Sequence, residues 1–193
     1  MDVVIERKTK ETQITLRLDL ESRNPPKIST GLPFFEHLLT AFSFHGGFYL
    51  EIMAQGDLEV DAHHLVEDVG LVLGMAFQKA EATRNPVHRW GFSVIPMDES
   101  LSEVVIDVCN RPTCVYKANY PQTHVGTFDL ALIREFLIAF SNRSAMSLHA
   151  LCRYGENSHH MVESLFKALG KACAQAYAPS DPSWGVPSTK GSL

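Results

Sequence analysis

The first part of the chain alternates apolar and polar residues in a way that predicts its elements. In TQITLRLDL, four apolar residues from Ile14 to Leu20 alternate with polar ones, which is typical of a half-buried strand. ESRNPPKISTG, with two adjacent prolines, predicts a loop. LPFFEHLLTAFSFH then predicts a helix of about three turns, with Pro33 near its start and Gly46 and Gly47 at its end. FYLEIMAQGDLEV predicts a strand, a turn and a second strand.

The same kinds of element follow in the rest of the chain. HHLVEDVGLVLGMAFQKAEA has helical apolar spacing from His63 to about Ala82, and Asp61 is placed to cap this helix. RWGFSVIPM, SEVVIDV and TCVYKANY predict three strands, and DLALIREFLIAFSN predicts another helix. AMSLHALCRY predicts a strand and SHHMVESLFKALGKACAQAY a last long helix, before an irregular ending, APSDPSWGVPSTKGSL.

This order of elements occurs twice, which indicates an internal duplication. HHLVEDVGLVLGMAFQKA and HHMVESLFKALGKACAQA agree at eight of eighteen positions. EHLLTAFS aligns with REFLIAFS, which makes His37 equivalent to Glu135. We therefore predict an α+β fold of two tandem homologous half-domains, each a small β-sheet with two helices packed on one face. The half-domains are residues 1–87 and 88–180, which together form one compact domain, and residues 181–193 form a C-terminal tail.

Each long helix begins with two adjacent histidines and a glutamate. Leaving such groups buried without partners costs about 1–3 kcal/mol each, so a repeat that keeps them indicates either a use or exposure to water. Adjacent helical residues point about 100° apart, so His63 and His64 do not readily share one metal ion. Glu67 can meet either histidine. The motif therefore predicts two sites, each completed by the other half-domain, by another subunit, or by both.

The duplication supplies the remaining candidate ligands, because His37 and Glu135 occupy equivalent places on the preceding helices. The eight predicted metal ligands, enough for two sites of four, are His37, His63, His64, Glu67, Glu135, His159, His160 and Glu163. Imidazole with carboxylate suits manganese, iron or zinc. The spacing is not HExxH, so a zincin protease is not indicated. The alternative is that these histidines are incidental residues at exposed helix starts. The sequence leaves open which ligands share a metal.

Composition and charge exclude several classes of function. The net charge is −5 and basic residues do not cluster, so no nucleic-acid partner is expected. No run of 18 apolar residues occurs, so no membrane span is predicted. The four cysteines form no CxxC pair, so neither a zinc knuckle nor a thioredoxin-type motif is indicated. The first residues lack an apolar signal region, so we expect a location in the reducing cytoplasm.

Six segments together resemble one enzyme family over nearly the whole chain. GLPFFEHLLTAFSFHGGF, GDLEVDAHHLVEDVGLVLG, PMDESL, YGENSHHMVESLFKALGKA, VPSTKG and the ERKTKET start resemble imidazoleglycerol-phosphate dehydratases. The resemblance implies a hydro-lyase that converts imidazoleglycerol phosphate to imidazoleacetol phosphate and water, the sixth step of histidine biosynthesis. It also implies two manganese ions per active site, with other divalent transition metals as alternatives. The implied assembly is a homo-oligomer of 24 subunits with active sites at subunit interfaces.

The resemblance also implies roles for residues outside the metal set. Glu11 in TKET matches the acid/base glutamate of the family, and His45 in HGGF matches a histidine that contacts the substrate. Phosphate-binding positions are matched by Arg89, Arg111, Ser188, Thr189 and Lys190, the last three in the tail. The proton lost in this reaction lies next to no carbonyl. The substrate's imidazole must therefore act as the electron sink, aided by a metal, while a carboxylate moves the proton.

The chain departs from the family pattern at two places. Glu135 stands where some relatives carry histidine, and DVCNRP stands where relatives often have Ser-Gly before the arginine. Two other functions stay open at this point: a different metal-dependent enzyme, such as a hydrolase of a small phosphorylated substrate, and a non-catalytic protein in which HHxVE joins subunits. Glu11 and VPSTKG favour the dehydratase over a scaffold, because a scaffold needs neither a base nor a phosphate site.

Overall fold

Two four-stranded sheets with the same topology form the frame of the protein. The computed structural model describes residues 2–84, 86–181 and 183. The first half contains β1 Asp2–Lys8, β2 Thr12–Asp19, β3 Lys27–Ser29, α1 Pro33–Gly46, β4 Tyr49–Gly56 and α2 His63–Arg84. The second half contains β5 Trp90–Met97, β6 Ser100–Val108, β7 Thr113–Lys117, β8 His124–Val125, β9 Phe128–Asp129, α3 Leu132–Ser144, β10 Met146–Tyr154 and α4 Ser158–Ala176.

The strand orders and registers of the two sheets match. The orders are β1-β2-β4-β3 and β5-β6-β10-β7, and in each sheet only the last pair is parallel. Leu16 pairs with Ile52 in the first sheet as Val104 pairs with Ala150 in the second. The predicted α+β fold with a repeated half-domain is thereby confirmed. The boundary between residues 87 and 88 stays a prediction.

The four helices lie between the sheets and join the two halves. α2 packs on β1 and β2 and against α3 of the other half, while α4 packs on β5 and β6 and against α1. Three fully buried rings, those of Phe42, Phe77 and Phe140, meet there with centroids 5.4–6.3 Å apart. Burying each such side chain contributes about 1.5–3 kcal/mol, so the halves share one core.

Two equivalent glycines allow these helices to approach closely. A Cβ atom added at Gly170 of α4 would lie 2.1 Å from the Phe42 carbonyl oxygen of α1. A Cβ atom at Gly74 of α2 would lie 2.7 Å from the Phe140 carbonyl oxygen of α3. Carbon cannot approach a backbone oxygen so closely, which explains why glycine recurs at both crossings.

Four local predictions were wrong or incomplete. β3 forms within the predicted loop, because it pairs in parallel with β4. The second strand predicted after Gly56 is a turn instead, in which the Val60 N–H donates to the Asp57 carbonyl at 2.8 Å. β1 and the β8–β9 hairpin were not predicted. β1 is an edge strand with polar residues on both faces, so it lacks a strong alternation.

Asp68 of α2 is buried and only 6% exposed. Its carboxylate forms an ion pair with Arg7 of β1 and accepts a hydrogen bond from the Thr12 hydroxyl of β2. Both partners come from strands more than 50 residues away, so local sequence does not reveal them. Within the described ranges, no helix is long and apolar enough to cross a membrane.

Candidate functional site

Two histidines and a glutamate converge where α1 packs beside α4. The Nε2 atom of His37 lies 2.9 Å from Glu163 Oε2, and the Nε2 atom of His159 lies 3.0 Å from the same oxygen. Their ligand atoms all fall within 4.8 Å of one another. Of the residues that the structure describes, these three form the group that could hold a metal ion, and we call them the His37 triad.

Local structure fixes the members of the His37 triad. The Asn157 side chain accepts a hydrogen bond from the His159 N–H and so caps α4 at its start. His159 and Glu163 are four residues apart and therefore lie on one face of the helix. On α1, Glu36 accepts hydrogen bonds from the backbone N–H groups of residues 30 and 31, which fixes the loop that leads to His37.

Glu163 is buried but keeps its charge. Burial alone would raise the pKa of its carboxyl, but hydrogen bonds from Lys167 and His37 outweigh this effect and lower the pKa to about 2. Lys167 Nζ lies 2.8 Å from Oε1, so Oε2 is the oxygen that faces the two imidazoles. The triad therefore presents two imidazole nitrogens and an ionised carboxylate, a ligand set that suits a divalent transition metal.

The equivalent residues of the other half, which we call the Glu135 set, are Glu135, His63 and Glu67. His63 Nε2 lies 3.9 Å from Glu67 Oε2, and Glu135 Oε1 accepts a hydrogen bond from Arg134 at 3.2 Å. The side chains of the Glu135 set do not converge as those of the His37 triad do. The two carboxylates of this set repel each other without a cation, whereas in the triad two imidazoles can each share a proton with the single carboxylate of Glu163.

His64 and His160, the second members of the histidine pairs, point away from their neighbours. The rings of His63 and His64 are inclined at 84°, and those of His159 and His160 at 77°. His64 Nδ1 lies 3.0 Å from Asp57 Oδ2, and His160 Nδ1 lies 2.8 Å from Glu99 Oε2. These hydrogen bonds raise the pKa of both histidines. The divergence expected from helix geometry is present.

A cleft of ≈ 520 Å³ opens beside the His37 triad. Its walls are mainly apolar, with imidazoles from α1 and α4, and its lining residues are Leu32, Pro33, Phe34, His37, Val125, Gly126, Thr127, Phe128 and His159. One wall is the β8–β9 hairpin, which the sequence reasoning missed. The sequence signal that could have predicted this hairpin was VGT, because Gly126 takes a left-handed turn conformation with φ +59°.

The two predicted phosphate-binding arginines lie beside one carboxylate. Arg89 Nε lies 2.7 Å from Asp107 Oδ1, and Arg111 Nη2 lies 3.9 Å from Asp107 Oδ2. The turn before Arg111 is left-handed at Asn110, with φ 55°. Asparagine tolerates this conformation, so the turn forms without the glycine that relatives often have there. Arg111 is 67% exposed and can reach a ligand.

These arginines lie far from the His37 triad within one chain. The Arg89 N–H donates to the Ala176 carbonyl, at the last turn of α4, whereas Glu163 lies near the start of the same helix. At a rise of about 1.5 Å per residue, the thirteen steps from Glu163 to Ala176 span roughly 20 Å. The two groups of predicted site residues are thus at opposite ends of α4.

The other predicted site residues are scattered. Glu11 is exposed in the β1–β2 turn, and its charge helps to raise the pKa of His64. His45 is half-buried at the end of α1, where burial lowers its pKa and Lys167 and Lys171 lower it further. Ser188, Thr189 and Lys190 lie outside the described residues.

Comparison with known proteins identifies close relatives. The family model described as imidazoleglycerol-phosphate dehydratase matches residues 30–173. The imidazoleglycerol-phosphate dehydratase of Halalkalibacterium halodurans is 46% identical over 189 residues, which is 98% of this chain and 97% of that protein. The enzyme of that name from Geobacter sulfurreducens is 43% identical over 189 residues, with the same coverage of 98% and 97%.

Solved structures of two such dehydratases share the fold. The imidazoleglycerol-phosphate dehydratase of Staphylococcus aureus superposes with a TM-score of 0.85 at 34% identity, covering 93% of this chain and 100% of that one. The Pyrococcus furiosus dehydratase, solved in complex with (S)-C348, superposes with a TM-score of 0.83 at 34% identity, covering 98% and 100%.

Proposed function

This chain belongs to the imidazoleglycerol-phosphate dehydratase family, and we propose that it dehydrates imidazoleglycerol phosphate to imidazoleacetol phosphate in the sixth step of histidine biosynthesis. The observation that carries the proposal is the His37 triad beside an apolar cleft. A metal-binding group at the mouth of such a cleft suits a small substrate with an imidazole ring. The reaction takes place in the cytoplasm.

The ligand atoms fit a divalent metal. In the proposed arrangement, the His37 triad holds one manganese ion and the Glu135 set holds a second, while His64 and His160 supply the fourth ligands from neighbouring subunits. Two observations support this division: the triad is preformed, and both outward histidines contact their carboxylate partners through Nδ1. Glu135 gives the second set an extra carboxylate, which favours manganese over softer metals. A bound metal would act as a Lewis acid toward the substrate's imidazole and would orient it.

The distance along α4 supports an active site shared between subunits. Imidazoleglycerol phosphate has three carbons between its ring and its phosphate, far less than the roughly 20 Å that separate the His37 triad from Arg89 in one chain. A substrate bound at the metals therefore takes its phosphate contacts from the arginines of another subunit.

The proposed assembly is the homo-oligomer of 24 subunits that the family resemblance implies, and the outer face of the second sheet supports association between subunits. Three alternate residues of β5 point away from the helices and are exposed: Trp90 by 54%, Phe92 by 66% and Val94 by 43%. Val105 of the neighbouring strand is 38% exposed. Apolar side chains clustered on one face mark a protein–protein interface.

The remaining residues bind the substrate or move its proton. Glu11 is an exposed carboxylate on a turn beside His64, and it takes the proton from the substrate carbon next to the one that loses hydroxide. Arg111 and Arg89 bind the phosphate dianion as forked donors, with Ser188, Thr189 and Lys190 of the tail. His45 contacts the substrate as a neutral imidazole, because burial and two lysines lower its pKa.

The function is tested by direct assay. Protein purified and loaded with manganese is expected to convert imidazoleglycerol phosphate to an enolisable ketone, followed by its absorbance in alkali. The same protein stripped of metal is the control and is expected to be inactive. An intact, manganese-bound oligomer that leaves the substrate unchanged would contradict the proposal.

The shared active site is tested by mixing inactive variants. His159→Ala removes a metal ligand and Arg111→Ala a phosphate ligand, so each variant alone is expected to be inactive. Co-expressed, the two are expected to form active sites from the intact part of each chain, and turnover returns. Co-expression of His159→Ala with His37→Ala is the matched control, because both lesions lie in the same triad and no intact triad forms. A mixed oligomer without activity would show that each site lies within one chain.

A further inference from the structure

The PMDESL turn between β5 and β6 holds a carboxylate that the proposed function has not used. Glu99 Oε2 lies 2.8 Å from His160 Nδ1. Glu99 Oε1 accepts hydrogen bonds from the backbone N–H groups of Asn157 at 2.8 Å and Glu156 at 3.1 Å, and from the Ser100 hydroxyl at 2.9 Å. One oxygen thus fixes the loop that precedes α4, and the other faces the imidazole.

Asp57, in the turn after β4, has the same relation to His64. Its two oxygens lie 3.0 and 3.2 Å from His64 Nδ1. A carboxylate that accepts a hydrogen bond from Nδ1–H fixes the tautomer in which Nε2 is unprotonated and can bind a metal. His160 Nε2 is 3.7 Å from Asp98 Oδ2, beyond hydrogen-bonding distance, so this nitrogen is available as a ligand.

The duplication shows that the two carboxylates do not come from equivalent positions. Leu16 and Val104 are equivalent by strand register, and counting back five residues from each makes Glu11 the equivalent of Glu99. Glu99 is bound to His160, whereas the Glu11 carboxylate accepts no hydrogen bond from any residue that the structure describes. Asp57, whose N–H donates to the Glu11 carbonyl at 3.1 Å, instead holds the histidine of that half.

We propose that Glu99 and Asp57 are positioning residues that hold His160 and His64 with Nδ1 protonated and Nε2 presented to the metal, and that Asp57 thereby leaves Glu11 free to move protons. This inference rests on the proposed function, which supplies the metal and the role of Glu11. It explains why one of two equivalent turn glutamates can act on the substrate while the other cannot.

Glu99→Gln tests the first half of the inference. The amide oxygen introduced by this substitution is expected to keep the backbone hydrogen bonds, so the amide NH₂ group faces Nδ1 of His160. Nδ1 must then accept a hydrogen bond, and the proton moves to Nε2, where it blocks metal binding. In metal-free protein, ¹⁵N NMR of the imidazoles is expected to show this change of tautomer, with His160→Gln used to assign the signals. Manganese affinity, measured by chelator competition, is expected to fall roughly 10- to 100-fold.

Two further variants separate positioning from other effects. Glu103→Gln removes the same charge from β6, at an exposed pair with Arg153, and is expected to change neither tautomer nor affinity. Glu11→Gln is expected to leave the tautomer of His160 and the manganese affinity unchanged but to lose turnover at every manganese concentration. Glu99→Gln is expected to regain turnover as manganese is raised. Asp57→Asn is expected to change the tautomer of His64 as Glu99→Gln changes that of His160.

The outcomes distinguish this inference from the proposed function. A neutral His64 or His160 imidazole that carries its proton on Nε2 in the native protein would overturn the inference, and this measurement requires no variant to fold. Unchanged tautomer and affinity in Glu99→Gln would also overturn it, even if the melting temperature fell, since Glu99 would then only brace the loop. If the tautomers change as expected but native protein lacks dehydratase activity, the proposed function fails while the positioning role stands.

Discussion

Glu11→Gln is expected to lower kcat for imidazoleglycerol phosphate by about 10²- to 10⁴-fold, the range typical of losing a general acid or base. Glutamine keeps the size and polarity of the side chain but cannot take a proton. Glu11 is exposed on a turn and its carboxylate has no structural partner among the described residues, so folding and assembly are expected to persist. Steady-state kinetics and light scattering on the same sample measure both effects.

Glu6→Gln is the matched control for the loss of charge. Glu6 is also exposed, on the adjoining strand β1, and lies outside the proposed site. Its replacement is expected to leave kcat unchanged. If Glu11→Gln retained native turnover, another residue would transfer the proton. Glu11 would then no longer be a reason to favour an enzyme over a purely structural metal-binding protein.

Removal of metal by a strong chelator is expected to break the assembly into smaller oligomers. In the proposed arrangement each metal joins ligands of one chain to His64 or His160 of another, so the metals are part of the subunit interface. Without cations, the carboxylates of Glu67 and Glu135 also repel each other across the Glu135 set. Light scattering before and after chelation measures the particle mass.

Chelator already saturated with manganese is the control for non-specific effects, and it is expected to leave the mass unchanged. Addition of excess manganese to stripped protein is expected to restore both mass and activity. A particle of constant size in strong chelator would show that protein contacts alone, such as the exposed face around Phe92, hold the subunits together.

Much of the architecture could be predicted from local patterns. The alternation in β2 and the helical spacing of α1, α2, α3 and α4 were sufficient, because each element buries one face and repeats its apolar residues at the corresponding period. β3 could not be predicted in this way. Its three residues become a strand only because β4 offers a parallel partner, and pairing of that kind leaves no local signal.

The chemistry of the site divides in the same way. The sequence by itself determined the duplication, the ligand types and the divergence of adjacent histidines, because helix periodicity and residue chemistry are local properties. Only the tertiary structure decided that His37 meets Glu163 while Glu135 stands apart, that Asp68 is buried against Arg7, and that Glu99 holds His160. Each of these contacts joins residues about 60 or more positions apart in the chain. The packing of helices and sheets around a shared core brings residues so far apart in sequence into contact. That packing depends on all of the core residues at once.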